Sequence, residues 1–153
     1  MGVRWRYLDK RDGAENALKD YKDQEYFLKT FDKTIKSLEA EMENLRMLTY
    51  DDPTGLHSTQ KSESQVIQCM EEMDAVRHQK KEAEEYMEWF LPAWEQLSED
   101  DRFVLQAFYM DSSNYGSSAA QHVMEHFHIE QSSAYNKKNR ALTRLTKLLY
   151  GKS

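Results

Sequence analysis

The stretch AAQHVMEHFHIEQSSAYNKKNRAL, residues 119–142, decides the fold of this chain. In its first half, apolar residues recur at intervals of three and four, on one side of a short helix: Ala120, Val123, Met124 and Phe127. A tight connection at residues 128–130 follows, and a final helix is predicted from Gln131 to about Tyr150. Two helices joined so closely are typical of a helix-turn-helix.

The final helix has two different faces. At 100° per residue, its apolar residues fall together on one side: Ala134, Ala141, Leu142, Leu145, Leu148 and Leu149. Its polar and basic residues fall together on an adjacent side: Ser133, Asn136, Lys137, Arg140, Arg144 and Lys147. We therefore expect one face to dock on the preceding helices and the other to face solvent.

Charge is distributed unevenly along the sequence. The formal net charge is -6, yet six Lys or Arg residues and no Asp or Glu follow Glu130, whereas residues 1–130 carry 15 basic and 27 acidic residues. A positive end on an acidic body indicates an anionic partner. Basic residues in a last turn can simply complement the helix dipole, but Lys137, Lys138 and Arg140 precede that turn. The final helix also has no Glu for i,i+4 pairs.

This pattern predicts a helix that binds double-stranded DNA. An α-helix fits the major groove, where Asn pairs with adenine and Arg or Lys with guanine, while other cations bind phosphates. In helix-turn-helix proteins, the N-terminal part of the second helix reaches the base edges. The predicted DNA-binding residues are Ser132, Ser133, Asn136, Lys137, Arg140, Arg144 and Lys147.

Upstream, the sequence predicts helices throughout. Ser98 is expected to cap a short helix whose first turn holds three carboxylates, which the helix dipole favours. Before it, residues 14–49 and 61–94 have apolar residues at heptad spacing, and a turn containing Pro53 and Gly55 separates them. Pro92 is expected to end or kink the second of these helices.

The expected fold is all-α, with a long antiparallel helical hairpin followed by a small helix-turn-helix domain. The boundaries are an N-terminal arm at 1–13, the hairpin at 14–92 and the helix-turn-helix domain at 93–153. A homodimer through the hairpin remains open beside the monomeric arrangement. The arm, with Trp5 and Tyr7 between basic residues, either caps the hairpin or reaches DNA.

The last part of the chain resembles the region-four helix-turn-helix of bacterial sigma factors. LSEDDRFVLQAFYM, residues 97–110, is similar to the leading helix, and residues 119–142 are similar to the scaffold helix, turn and recognition helix. The shared positions are Val123, Phe127, Ile129 and the Arg-Ala-Leu of residues 140–142. The whole chain, with its acidic hairpin, resembles phage late-gene transcriptional regulators of the ArpU/RinA type.

The resemblance implies an activator that binds promoter DNA and recruits host RNA polymerase. A protein-interaction adaptor, or a phage inhibitor of host machinery acting through the hairpin, is the alternative. The sequence departs from the sigma pattern at three positions, one of which is Met124, a large residue where Ala is common. His128 occupies a turn position that usually holds Gly and must adopt a left-handed conformation, and Lys138 must extend its stem past apolar neighbours.

Other classes of function find little support in the sequence. The segment HVMEH, residues 122–126, matches an inverted zinc-protease pattern, but a third ligand is lacking and its apolar residues are expected to pack. No phosphate-binding glycine loop or nucleophile elbow is present, and the single Cys69 lies on a hairpin seam. We expect no enzyme activity, no cofactor, no metal and no membrane span, and a cytoplasmic location in a bacterial host, near the nucleoid.

Overall fold

The computed structural model describes residues 9–50, 59–111 and 117–151. Its helices are α1 (Lys10–Tyr50), α2 (Thr59–Gln96), α3 (Glu99–Leu105), α4 (Ser117–Phe127) and α5 (Gln131–Tyr150). A π-helical segment, Gln106–Met110, continues α3. Within these described ranges there is no β-strand, so the predicted all-α class is confirmed. The predicted turn between the two long helices concerns residues 51–58, and most of the predicted arm is residues 1–8; both lie outside the described ranges. The last residues of the predicted arm, 10–13, form the first turn of α1.

Helices α1 and α2 form the predicted long antiparallel hairpin. The described residues divide into two compact units, and the hairpin contributes to both. The middle unit lies within Glu25–Glu85. The terminal unit lies within Met1–Gln24 and Tyr86–Ser153, so it combines the start of α1 and the end of α2 with α3, α4 and α5.

In the middle unit the heptad seams of α1 and α2 meet. Cys69 is 3% exposed and its thiol donates to the carbonyl of Leu38 at 3.3 Å, while Lys80 Nζ lies 4.5 Å from the ring centre of Phe31. Phe31 contacts Lys80, and Leu38, seven residues later in α1, contacts Cys69, eleven residues earlier in α2. The two helices therefore run antiparallel. Burial, and then the carboxylates of Glu41 and Glu72, raise the pKa of the Cys69 thiol.

The terminal unit contains the main hydrophobic core. Phe90 of α2 is fully buried, stacks on Tyr86 with ring centres 5.4 Å apart, and packs with buried residues from both ends of the chain. This core joins the hairpin to α5: Ala14, Ala17, Leu18, Phe90, Ala93, Leu97, Leu105, Met110, Ala141, Leu142, Leu145 and Leu149. The start of α1 therefore forms part of the surface that positions α5.

Pro92 does not end α2, which continues to Gln96. Proline inside a helix removes one backbone donor and crowds the preceding turn. Pro92 is exposed, so the carbonyl that loses its helical partner can be hydrated. The next residue, Ala93, is buried in the core, so this turn stays packed beyond the proline.

The short helix α3 begins as predicted. Ser98 is its N-cap, and the Ser98 hydroxyl oxygen accepts a hydrogen bond from the backbone N–H of Asp101 at 3.2 Å. Glu99, Asp100 and Asp101 occupy the first turn, near the positive end of the helix dipole. This cap fixes where Asp101 stands relative to α5.

Candidate nucleic-acid interface

The connection between α4 and α5 has the predicted turn geometry. His128 has a φ of 55°, the left-handed conformation that its position in the sequence required. The N–H of Ile129 donates to the carbonyl of Met124 at 3.1 Å and closes the end of α4. Glu130 is then extended and caps α5, where the N–H of Ala134 donates to its carbonyl at 3.0 Å.

A second core cluster fixes the angle between α4 and α5. Its buried members come from α3, the π-helical segment, α4 and α5: Val104, Ala107, Val123 and Ala134. Phe127 and Ile129, the other positions shared with sigma factors, are partly buried against this cluster. The packing roles predicted for Val123, Phe127 and Ile129 are confirmed, and α5 is held along its length by two cores.

Most of the predicted apolar face of α5 is buried, with one exception. Ala134, Ala141, Leu142 and Leu145 are fully buried. Leu148 is 44% exposed, so its predicted packing is wrong. Leu148 lies at the edge of the apolar face, and Thr146 is buried at the other edge, with its hydroxyl donating to the carbonyl of Leu142. The buried face of α5 is therefore rotated slightly about the helix axis, away from Leu148 and toward Thr146, relative to the predicted apolar face.

The predicted DNA-binding residues lie along the uncovered side of α5. The exposed ones are Ser132, Asn136, Arg140, Arg144 and Lys147. Ser133 and Lys137 are half-buried. We call the side of α5 that carries the exposed residues Asn136, Arg140 and Lys147 the exposed strip. A helix face with this exposure is sterically open to a large partner.

Arg144 is not an unpaired cation. Its Nη1 donates to both carboxylate oxygens of Asp101, at 2.7 and 2.8 Å, and the Asp101 side chain is only 13% exposed. The pair lines a small open cleft beside the exposed strip, formed by Asp100, Asp101, Val104, Lys137, Arg140 and Arg144. Part of the cationic charge predicted for DNA binding is thus balanced within the protein.

Two lysines of α5 lie over aromatic rings. Lys137 Nζ is 4.6 Å from the ring centre of Phe127, and Lys138 Nζ is 5.3 Å from that of Phe108 and 5.2 Å from that of Tyr135. Lys138 thus reaches past apolar neighbours, as its position predicted. These cation–π contacts orient both amines without neutralising them.

The HVMEH segment packs against α3 and its neighbours, as its apolar residues predicted. The rings of His122 and His126 stack on Phe103, with centres 5.2 and 3.8 Å apart. Val123 between them is fully buried. In the described part of the chain, no group of three or more His, Cys, Asp or Glu side chains is placed to hold a metal ion.

Sequence reasoning missed Arg11 as a neighbour of α5. Its Nη1 donates to Thr143 Oγ1 and its Nη2 to Asn139 Oδ1, each at 3.1 Å. Arg11 lies 132 residues before Thr143, and no local pattern reports a contact over that separation.

Comparisons with protein-family models, curated proteins and solved structures found no match to this chain. Among the described helices, none combines the length and apolar character needed to cross a membrane.

Proposed function

We propose that this protein is a sequence-specific, DNA-binding transcriptional regulator in which α5 enters the major groove. The observation that carries the proposal is the exposed strip of α5, which is polar and cationic and lies opposite a buried apolar face. The left-handed turn at His128 and the second core cluster hold this helix in a helix-turn-helix arrangement. A rigid, uncovered helix is what major-groove reading requires.

The residues divide by the contact that their chemistry favours. Asn136 is exposed near the N-terminal end of α5 and can pair with adenine through its amide. Arg140, one turn later, can donate two hydrogen bonds to guanine. Lys147 lies near the C-terminal end, where backbone phosphates are the partners in reach. Lys137, held over Phe127, adds positive charge beside them.

The resemblance to sigma region four and to ArpU/RinA-type regulators extends the proposal. The protein would act in a bacterial host, bound to promoter DNA near phage or prophage late genes, and recruit the host RNA polymerase. A homodimer through the hairpin would place two α5 helices about one turn of DNA apart, roughly 34 Å.

The test is DNA affinity as a function of salt. DNA enriched from a random-sequence pool would be titrated with the full chain, with fluorescence anisotropy as the readout. If Lys137 and Lys147 neutralise phosphate charge while Arg140 binds a base, log K against log salt should fall with a slope of about -2 per protomer. The Arg140→Ala variant should weaken binding and relax the preference for the selected sequence.

A matched control is Lys81→Ala, which removes one positive charge from an exposed position in the middle unit. Its affinity and salt slope should equal those of the wild type. An affinity that does not change with salt, or equal losses in Arg140→Ala and Lys81→Ala, would contradict the proposal.

A second candidate function is a protein-interaction adaptor, which the middle unit favours. Large apolar side chains of this unit are exposed at 50% or more: Tyr26, Met47, Leu48, Ile67 and Met70. These exposed apolar side chains are the ones through which the middle unit would contact another protein. Met70→Glu and Ile67→Glu should then abolish activation or polymerase recruitment while leaving DNA affinity unchanged. Loss of DNA binding in these variants would contradict separate roles for the two units.

A further inference from the structure

Arg11 brings a positive charge from α1 to the exposed strip of α5. Its guanidinium contacts Thr143 Oγ1 and Asn139 Oδ1, both at 3.1 Å. Asn139 and Thr143 follow Asn136 by three and seven residues, so the three side chains share one side of α5. Arg11 therefore lies along one border of the strip, and the Arg144–Asp101 pair lies along the other.

The charge of Arg11 is not balanced by a carboxylate. Among the described residues, no Asp or Glu oxygen lies within 4.0 Å of its guanidinium, and both of its hydrogen-bond acceptors are neutral oxygens. The acidic neighbours in sequence have other partners. Asp9 accepts from the backbone N–H groups of Arg11 and Asp12, and Glu15 accepts from the Tyr109 hydroxyl. Both contacts leave the Arg11 guanidinium with its full positive charge.

Arg11 also keeps unused donors. A guanidinium has five N–H groups, and the two contacts to α5 use two of them. The remaining N–H groups suit a phosphate oxygen pair, which arginine binds through its planar fork. The contacts to Asn139 and Thr143 fix the side chain in place, so little rotamer freedom remains to be lost when an anion binds.

We propose that Arg11 binds a backbone phosphate of the DNA that α5 reads, and so extends the interface to a second helix. This inference rests on the proposed DNA-binding function. Arg11 would act as a clamp at the border of the groove, and it would contribute to affinity for every sequence alike, since phosphates carry no base identity.

The experiment measures the salt dependence of DNA affinity for the full-length wild type and for Arg11→Ala, Arg11→Lys and Lys22→Ala. Arg11→Ala should make the slope of log K against log salt less negative by about 0.9, the contribution of one phosphate contact. Arg11→Lys should keep most of the slope, because the charge remains. Lys22→Ala is the matched control, since Lys22 is also in the first part of α1 but pairs with Asp111 at 3.0 Å. Its slope should equal that of the wild type.

Three outcomes decide the matter. An unchanged slope in Arg11→Ala overturns the phosphate contact while leaving the function of α5 intact. Equal slope losses in Arg11→Lys and Arg11→Ala also overturn it, because they would assign Arg11 a purely structural role through its hydrogen bonds to α5. If the wild type shows no salt-dependent binding, the proposed function fails together with this inference. Thermal unfolding of each variant identifies any that do not fold, and Arg11→Gln, which removes the charge but keeps a hydrogen-bonding side chain, replaces Arg11→Ala if that variant is among them.

Discussion

Arg144 of α5 and Asp101 of α3 form a two-oxygen ion pair at 2.7 and 2.8 Å, beside the helix face proposed to bind DNA. The carboxylate is mostly buried, whereas the Arg144 side chain is 58% exposed. The same pair thus ties two helices together and withholds one positive charge from the interface.

Asp101→Asn should therefore separate folding from DNA binding. Loss of the charged pair should lower the free energy of unfolding by about 1 kcal/mol, since Arg144 is largely exposed. The freed Arg144 should tighten DNA binding and steepen its salt dependence. Urea unfolding and anisotropy on the same preparation measure both effects. Asp100→Asn removes a charge from the exposed neighbour and serves as the control for stability. Weaker DNA binding by Asp101→Asn would contradict this account.

Gly13→Ala should destabilise the chain, although alanine normally stabilises a helix interior. A Cβ at position 13 would overlap the hydroxyl of Tyr150, whose ring packs edge-on against Trp89. Because that ring cannot move freely, we expect a loss of about 1 kcal/mol. Thermal unfolding of Gly13→Ala, with and without Tyr150→Phe, measures it. The double variant should recover part of the loss, and a stabilised Gly13→Ala would show that the two helices can separate without cost.

His128→Gly should stabilise the terminal unit by about 0.5–1 kcal/mol. The left-handed backbone at φ 55° costs a residue with a Cβ more than it costs glycine. The His128 side chain is exposed, so little packing is lost. Denaturant midpoints measure the change, and His128→Val should shift them the opposite way because β-branched residues avoid this conformation. Equal midpoints for the glycine and valine variants would be inconsistent with the turn described.

Alkaline pH should unfold the terminal unit. Burial, and then the carboxylate of Glu15, raise the pKa of Tyr109 to about 12, and burial also raises the pKa of Tyr86, whose hydroxyl donates to the carbonyl of Ala17. Both groups are neutral in the fold. The stability that these neutral hydroxyls give the fold is fully present at pH values below about 10, the usual pKa of tyrosine in the unfolded chain. It is lost as the pH rises from there through the raised pKa of Tyr109 in the folded chain. Circular dichroism and phenolate absorbance should therefore change together between these values. In Tyr109→Phe this change should be smaller. If all tyrosines titrated at about pH 10, the hydrogen bonds of Tyr109 to Glu15 and of Tyr86 to Ala17 would be contradicted.

Some features that depend on residues close together in the sequence, such as a helix cap and the ends of α5, were predicted correctly. The N-cap at Ser98 and the bounds of α5 follow from residues close in sequence, the left-handed His128 was implied by the resemblance to the sigma-type motif, and the structure confirms all three. Contacts between distant residues were not predictable in this way. Asp101 looked like a helix-dipole charge until α5 placed Arg144 against it, and Arg11 had no local signal at all. Leu148 was misplaced because hydrophobicity indicates a face but not its centre.

The π-helical segment Gln106–Met110 has a consequence for how this chain can change in length. Val104 and Ala107 belong to the core cluster under α4, while Leu105 and Met110 belong to the core that holds the hairpin. The wider turn lets one short stretch serve both clusters. Deleting one residue there would restore ordinary helical winding and rotate everything that follows by about 100°, moving Met110 off its core. Because Ala107 and Met110 are both buried, insertions and deletions should be tolerated far less in this turn than in an exposed loop.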